Sequence, residues 1–383
     1  MSTYQAPGVY SNIVSSGNKP IESVGSSTAA FIGQSSVGPV DKATLVTSWA
    51  QYVKAFGGVA EGGNLAHAVY GFFLNGGSKC FVNNIGPMKE GQSEEDVAAL
   101  IKGEDKGPAK RTGLNAFKGI EEVSLVAAPG FTSATIHQLL GDHAAECGDR
   151  MAILDGIEDL GEVQLHEFPR IGDNREAALY WPWIQVFDEA SKKVVTVPPS
   201  GHVMGVIARV DSERGVHKAA ANETIRGALG LKYSLTRNEQ ALLNPRGVNL
   251  IRDFDDMGIR IYGARTLSAD SEWKYLNVRR LFQVAKQSIT KGTEWVVFEP
   301  NNEQLWGAVA RNIRAYLKTL YTQGALKGKT PEEAFYVRCD ASTNPTENID
   351  RGIVTIEIGI APVKPAEFIQ INIQQQLENE QTN

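Results

Sequence analysis

The sequence predicts a mixed α/β (α+β) fold, with a two-domain core of mixed sheets and flanking helices and an extended arm at each terminus. Three observations lead to this prediction. Residues 28–83 run through strand, helix, helix and strand patterns, and residues 123–155 form a βαβ unit. Both chain ends carry short period-2 stretches beside proline and glycine, with little apolar sequence around the N-terminal one.

An arm of residues 1–24 opens the chain. One short strand is predicted at 9–14, and its pairing residues are Val9, Tyr10 and Ile13. A bend follows, built on Gly17 and Pro20, because glycine and proline punctuate extended sequence.

The first domain is predicted at 25–268. Ser48 is expected to cap a helix that Gly57 stops, and Asn64 is expected to begin a second helix that Gly76 ends. A further helix is predicted over 133–147 and another over 203–211. The strand patterns lie at 28–33, 44–47, 79–83, 123–127, 151–155, 177–186, 248–253 and 259–264.

Two stretches of this domain are predicted to be variable surface segments. Residues 86–119 are rich in glycine, lysine, glutamate and glutamine, and their apolar residues are sparse. Residues 156–176 are the second such segment, assigned from the family resemblance given below. Sparse apolar residues favour a solvated segment over a buried element.

The second domain is predicted at 269–361 and is the most regular part of the chain. Amphipathic helices are expected at 273–289 and 305–320, and strands at 294–299, 333–339 and 353–361. The linking arm 362–383 follows. Pro362 and Pro365 favour an extended link, and the next strand alternates Ile369, Ile371 and Ile373 with polar residues.

Composition excludes several classes of protein. A chain of 383 residues holds two or three domains, and a net charge of −6 argues against a dedicated nucleic-acid binder. The first residues lack the features of a signal peptide, and no apolar run is long enough for a membrane helix. Three cysteines without CxxC spacing indicate reduced thiols and folding in the cytoplasm.

A search for catalytic motifs returns none that fits its structural context. Residues 324–330 imitate a phosphate loop, but only three residues separate the two glycines, and a helix precedes them. Ser288 and Lys291 match SxxK at the end of a helix instead of its start. The histidines lack metal-ligand spacing, and no cysteine has a histidine nearby to activate it. We therefore predict no enzyme activity, no cofactor and no metal.

The chain resembles the contractile tail sheath proteins of phage tails and phage-tail-like injection particles. The similarity covers nearly the whole chain in order and departs only at 86–119 and 156–176. The stretches that carry it are 4–10 (YQAPGVY), 20–33 (PIESVGSSTAAFIG), 45–49 (LVTSW), 72–77 (FFLNGG), 197–202 (VPPSGH), 243–249 (LNPRGVN), 278–282 (VRRLF), 293–301 (TEWVVFEPN), 337–340 (VRCD) and 360–368 (IAPVKPAEF).

The resemblance implies a structural subunit that stacks as six-fold rings around an inner tube and contracts to drive that tube through a target envelope. Its implied partners are further copies of itself, the inner tube protein, baseplate and terminator or cap proteins, and sheath paralogues in particles that carry them. Nucleic acid and direct membrane insertion are not implied. Assembly in the bacterial cytoplasm would precede incorporation into a tail or a released particle.

The resemblance also implies that the two arms exchange strands with neighbouring subunits. The arm residues would then be Val9, Tyr10, Ile13, Phe368, Ile369, Ile371 and Ile373. We hypothesise hinges at Gly17, Pro20, Pro362 and Pro365, because hinge motion concentrates in a few backbone positions. For the inner-tube contact, we expect the basic face of the 305–320 helix, formed by Arg311, Arg314 and Lys318. The bland interpretation of that face is a merely solvated helix surface.

Two alternatives stay open at this point. One is a hydrolase-like α/β enzyme with a cleft near His202 and Asp253, since catalytic groups can converge from distant positions. The other is a different tail component, such as a cap or terminator. Long striated tubes under the electron microscope would identify a sheath, whereas compact monomers with turnover would identify an enzyme.

Overall fold

A computed structural model of the chain describes residues 20–88, 91–169, 172–368 and 370. They fall into two compact units: the larger unit contains 24–284 and the residues from 362 onward, and the smaller unit contains 20–23 and 285–361. The division falls inside a helix, after Val284. The domain boundary predicted at 268/269 stays a prediction.

The described elements begin with those of the larger unit. Its strands are β1 (Ala29–Gly33), β2 (Thr44–Val46), β3 (Cys80–Asn84), β4 (Leu125–Ala127), β5 (Met151–Asp155), β6 (Ala177–Trp181), β7 (Ile184–Asp188), β8 (Lys193–Val197), β9 (Glu223–Thr224), β10 (Ala228–Leu231), β11 (Val248–Phe254) and β12 (Gly258–Ile261). Its helices are α1 (Trp49–Phe56), α2 (Val59–Leu74), α3 (Glu94–Lys102), α4 (Ala134–Cys147), α5 (Ser200–Arg214), α6 (Arg237–Leu243) and the first half of α7 (Leu276–Gly292).

The smaller unit holds the end of α7 and the elements that follow it. These are α8 (Glu303–Thr322), α9 (Pro331–Ala334), β13 (Phe335–Arg338), α10 (Thr346–Asp350) and β14 (Glu357–Ile360).

A mixed nine-stranded sheet organises the larger unit, in the order β2-β3-β1-β4-β5-β6-β11-β12-β9. The six strands from β3 to β11 are parallel, while β2, β12 and β9 are antiparallel additions at the edges. A separate three-stranded antiparallel sheet pairs β10, β7 and β8. The predicted mixed α/β fold with flanking helices is confirmed.

Two hydrophobic clusters cover the two faces of the large sheet. Successive residues of β1 show this, since Phe31 packs in one cluster and Ile32 in the other. All five residues of β1 are buried. Parallel strands covered by helices on both faces read as continuous apolar runs, which is why 28–33 was recognisable as a strand.

Local capping signals give the helix boundaries. Ser48 accepts a hydrogen bond from the Gln51 N–H at the start of α1, and Gly57 ends that helix. The second helix begins earlier than predicted, at Val59, with a break at Gly63, whose φ of 47° lies in the left-handed region. The start predicted at Asn64 therefore corresponds to the part of α2 that follows the break, and the first turn of α2 lies before it.

Two other predictions for the larger unit are wrong. The run 177–186 is two strands in different sheets, because Pro182 has no N–H to continue a central ladder. The segment 86–119 contains α3, capped by Ser93, and buries Ile101 and Phe117 in the core. The few apolar residues of α3 fall at helical spacing, but the many charged residues around them made the segment resemble a solvated loop.

The strand predicted at 294–299 is also absent from the described structure. Residues 294–296 form a single 3₁₀ turn, and Val297 and Phe298 are exposed. A strand needs a partner for its backbone groups, and β-rich composition alone does not supply one. No helix of the described residues is both long and apolar enough to span a membrane.

Candidate functional site

The smaller unit carries a two-stranded antiparallel sheet, β13–β14, in which Phe335 lies opposite Ile360 and Arg338 opposite Glu357. The predicted strand at 353–361 is therefore confirmed for 357–360. Two strands alone are marginally stable in water. The outer edges of this pair decide what else the sheet can bind.

The hydrogen-bond pattern shows which backbone groups face outward. Opposite residues in an antiparallel pair alternate between exchanging hydrogen bonds and exchanging none. The Ala361 N–H donates to the Ala334 carbonyl, so bonded pairs recur two and four residues along, at Tyr336–Gly359 and Arg338–Glu357. The intervening residues direct their N–H and C=O groups away from the partner strand.

The outer edge of β13 is occupied by its own unit. The Phe335 N–H donates to the Pro331 carbonyl of α9. The Arg314 guanidinium of α8 donates to the Val337 carbonyl at 2.8 Å. Arg314 therefore protects an edge strand, a common device against uncontrolled pairing.

The outer edge of β14 is different. The outward residues there are Ile358 and Ile360, and no residue that the structure describes bonds to their outward N–H and C=O groups. Ile358 is 36% exposed, and Tyr336 on the neighbouring strand is 55% exposed. An open edge with apolar side chains beside it is a template for an added strand.

A second feature is the start of the C-terminal arm. Glu367 accepts hydrogen bonds from Arg265 Nε at 2.7 Å, Asn244 Nδ2 at 3.1 Å and Tyr275 Oη at 3.0 Å. Lys274 Nζ lies 3.4 Å away. We call these five residues the Glu367 clamp; all belong to the larger unit.

The clamp keeps its carboxylate ionised. Burial alone would raise the pKa of Glu367, but the hydrogen bonds from Arg265 and Asn244, the charge of Arg265 and the Tyr275 hydroxyl lower it to about 2. Partial burial and the same carboxylate raise the pKa of the Tyr275 hydroxyl. The charged form of Glu367 therefore stabilises the folded chain above the ordinary glutamate pKa.

We expect Glu367→Gln to lower the free energy of unfolding by about 2 kcal/mol at pH 7, discounted for partial exposure. Because the folded-state pKa is depressed, the difference from wild type should shrink as the pH falls from about 4.5 toward 2. Denaturant unfolding across that range measures it. Glu189→Gln, which removes an exposed ion pair to Lys192, is the matched control and should change little. A Glu367→Gln difference that does not vary with pH would contradict this assignment.

Most of the predicted arm residues lie outside the described residues: Val9, Tyr10, Ile13, Gly17, Ile369, Ile371 and Ile373. Of the others, Phe368 is 77% exposed directly after the clamp, and Pro20 is exposed. Pro362 and Pro365 are half-buried and lie between Ala361 and Glu367. Their role as hinges stays a prediction.

The basic face of α8 divides into two kinds of residue. Arg311 and Lys318 are exposed, and neither forms an ion pair with any residue in the described part of the chain. Arg314 is exposed as well, but its guanidinium is directed to Val337. Its assignment to a partner therefore has less support than that of the other two.

The two residues proposed for an enzymatic cleft lie in different surroundings, since His202 is buried in α5 and Asp253 is exposed on β11. Burial, together with the nearby His67, lowers the pKa of His202 to about 3, so this imidazole is neutral. Asp155 at the end of β5 accepts hydrogen bonds from the Ser200 N–H and hydroxyl and from the Gly130 N–H, which fixes the start of α5. Among the described residues, no group of three or more potential ligands could hold a metal ion.

The expectation that no cysteine has a histidine nearby is wrong. Cys147 Sγ lies 3.9 Å from His143 Nε2, one helical turn earlier on α4. Burial raises the pKa of the thiol, and burial together with Arg150 lowers that of His143 to about 3. Both shifts disfavour a thiolate–imidazolium pair. The four-residue spacing in the sequence could have revealed this contact.

Comparison with known families returns one answer for most of the chain. Residues 107–267 match the family model of the phage tail sheath protein central domain, and residues 268–376 match that of the phage tail sheath C-terminal domain. A putative prophage major tail sheath protein of Pseudomonas aeruginosa (strain UCBPP-PA14) is 27% identical over 292 residues, 73% of each chain. The tail sheath protein of Escherichia phage P2 is 24% identical over 303 residues, 75% of this chain and 72% of the phage protein.

Solved structures extend the similarity to the whole chain. The contracted sheath of the extracellular contractile injection system PVC has a TM-score of 0.77 at 29% identity, covering 99% of this chain and 100% of that one. The contracted helical sheath of the anti-feeding prophage has a TM-score of 0.75 at 29% identity, covering 98% and 100%.

Proposed function

This chain belongs to the phage tail sheath protein family, and we propose from this that it is the repeating subunit of a contractile sheath. The observation that carries the proposal is the full-length match to contracted sheath subunits of two injection systems. The subunit stacks with further copies around an inner tube, meets a baseplate at one end, and contracts to drive the tube through a target envelope. It is a component of a phage tail or of an extracellular contractile particle, and its role is structural.

The open edge of β14 supports a specific way of joining copies. A strand from the arm of one subunit adds to this edge in another subunit, through main-chain hydrogen bonds worth about 1 kcal/mol each. The Ile369, Ile371 and Ile373 alternation supplies such a strand from sequence, and the arm containing Val9, Tyr10 and Ile13 supplies a second. Because Arg314 occupies the outer edge of β13, an added strand can pair only with β14.

Assembly of the purified protein tests the proposal. Expressed with its tube partner, the chain should form long striated tubes in negative-stain micrographs. Compact monomers under all conditions would contradict it. If those monomers also turned over a substrate, the enzyme alternative would replace it.

We assign the inner-tube contact to Arg311 and Lys318, because both are exposed cations without an ion-pair partner in the described chain. Their partner surface on the tube is therefore acidic. Such contacts are salt-sensitive and individually modest.

Charge reversal tests this contact. Arg311→Glu with Lys318→Glu should weaken co-assembly with the tube by about ten-fold at low salt and by less at high salt. The matched control is Lys327→Glu with Lys329→Glu, which makes the same charge change at exposed positions of the same unit. If the two double variants weaken co-assembly equally, Arg311 and Lys318 make no specific contact with the tube and belong to a solvated helix face.

A further inference from the structure

The Glu367 clamp gathers side chains from three separate parts of the larger unit onto one carboxylate. Asn244 follows α6, Arg265 follows β12, and Tyr275 directly precedes α7. Three different side chains donate hydrogen bonds to Glu367, whereas the buried carboxylate of Glu176 accepts from Arg175 and Arg279. A surface ion pair needs only one partner, so this convergence indicates a position that must be held.

Arg265 is itself fixed to the central sheet. Its N–H donates to Asn249 Oδ1 at 2.6 Å, and its carbonyl accepts from Asn249 Nδ2 at 2.8 Å. Asn249 is fully buried in β11. Arg265 Nη1 also donates to the Asn244 carbonyl at 2.8 Å. A force on Glu367 is therefore transmitted to the central sheet through two contacts, Glu367 to Arg265 and Arg265 to Asn249.

We propose that Glu367 is the anchor of the C-terminal arm, where the load on a donated strand enters the larger unit of the donating subunit. This inference rests on the proposed strand exchange. The load then leaves through the smaller unit, whose β14 edge accepts the strand of another copy. Phe368 follows the anchor directly and is exposed, and the alternating residues of the proposed donated strand begin at Ile369.

The anchor sets the length of chain that separates the larger unit from the donated strand. Ala361, six residues upstream of Glu367, is held by backbone hydrogen bonds to Ala334 and Lys327. Releasing Glu367 would add up to six residues, or about 20 Å, of slack. A longer tether lowers the effective concentration of the donated strand at its acceptor and stretches before it transmits force.

The first test measures whether Glu367 holds the arm. A spin label is placed at Phe368→Cys in a Cys147→Ser background, because Cys80 and Cys339 are buried. Glu367→Gln should increase label mobility in the free subunit, with Arg265→Lys intermediate because it keeps the charge and loses the paired donors. Glu189→Gln is the control and should leave the label unchanged. An immobile label in Glu367→Gln would overturn the proposal.

The second test measures whether the anchor bears load. Glu367→Gln subunits keep both the arm and the β14 edge, so tubes should still form, but with a critical concentration at least ten-fold higher and with broken sheaths after contraction. A mobile label together with wild-type critical concentration and intact contracted sheaths would also overturn the proposal. Failure of the strand-exchange mechanism gives a different result from failure of the anchor proposal. In that case the unaltered chain would form no tubes, or a chain without its arm would still form them.

Discussion

A chain that ends at Phe368 is expected to fold normally and to form no sheath. The truncation removes the Ile369, Ile371 and Ile373 alternation and leaves the Glu367 clamp intact. A six-residue strand added to an edge makes several main-chain hydrogen bonds, together worth about 3 to 6 kcal/mol. Losing it from every subunit contact should raise the critical concentration by at least a hundred-fold.

Sedimentation and negative-stain microscopy measure this result. The matched control ends at Gln376, so it keeps the alternating stretch and loses only residues 377–383. Its tubes should be normal. If the chain that ends at Phe368 has the wild-type free energy of unfolding and still forms normal tubes, the C-terminal strand is not needed for assembly.

Blocking the acceptor should have a comparable effect. Ile358→Pro removes an N–H that faces away from β13, so the two-stranded sheet itself keeps all its hydrogen bonds. The proline ring and the missing donor oppose an added strand. We expect a loss of about 1.4 to 2.8 kcal/mol per contact, equivalent to a ten- to hundred-fold weaker assembly.

Ile358→Val is the matched control, because it keeps both the backbone donor and the β-branched side chain. It should assemble within about two-fold of wild type, while Ile358→Pro should not. The free energy of unfolding of both monomeric variants should lie within about 1 kcal/mol of the wild-type value. Normal tubes from Ile358→Pro would place the acceptor edge elsewhere.

The sequence was informative where the signal is local. Ser48 and Gly57 delimit α1 because capping involves residues a few positions apart. The buried parallel strands were visible as continuous apolar runs. The run 294–299 has the same composition without a pairing partner, and pairing depends on residues distant in sequence.

The site was predictable in part for the same reason. Period-2 alternation located the strand that became β14, but not which of its edges is open. That depends on Arg314 reaching Val337 across 23 residues of sequence. Glu367 gave no signal at all, since its donors lie 92 to 123 residues away.

Photo-crosslinking from the arm tests whether the C-terminal strand of one subunit pairs with β14 of another. A benzoyl-phenylalanine placed at Ile371 in unlabelled subunits is co-assembled with isotope-labelled wild-type subunits and irradiated, and the crosslinked peptides are identified by mass spectrometry. Strand exchange predicts crosslinks to the labelled peptide containing β14, residues 357–360, and therefore between different chains. Crosslinks confined to the same chain, or to another surface of the labelled subunit, would contradict it.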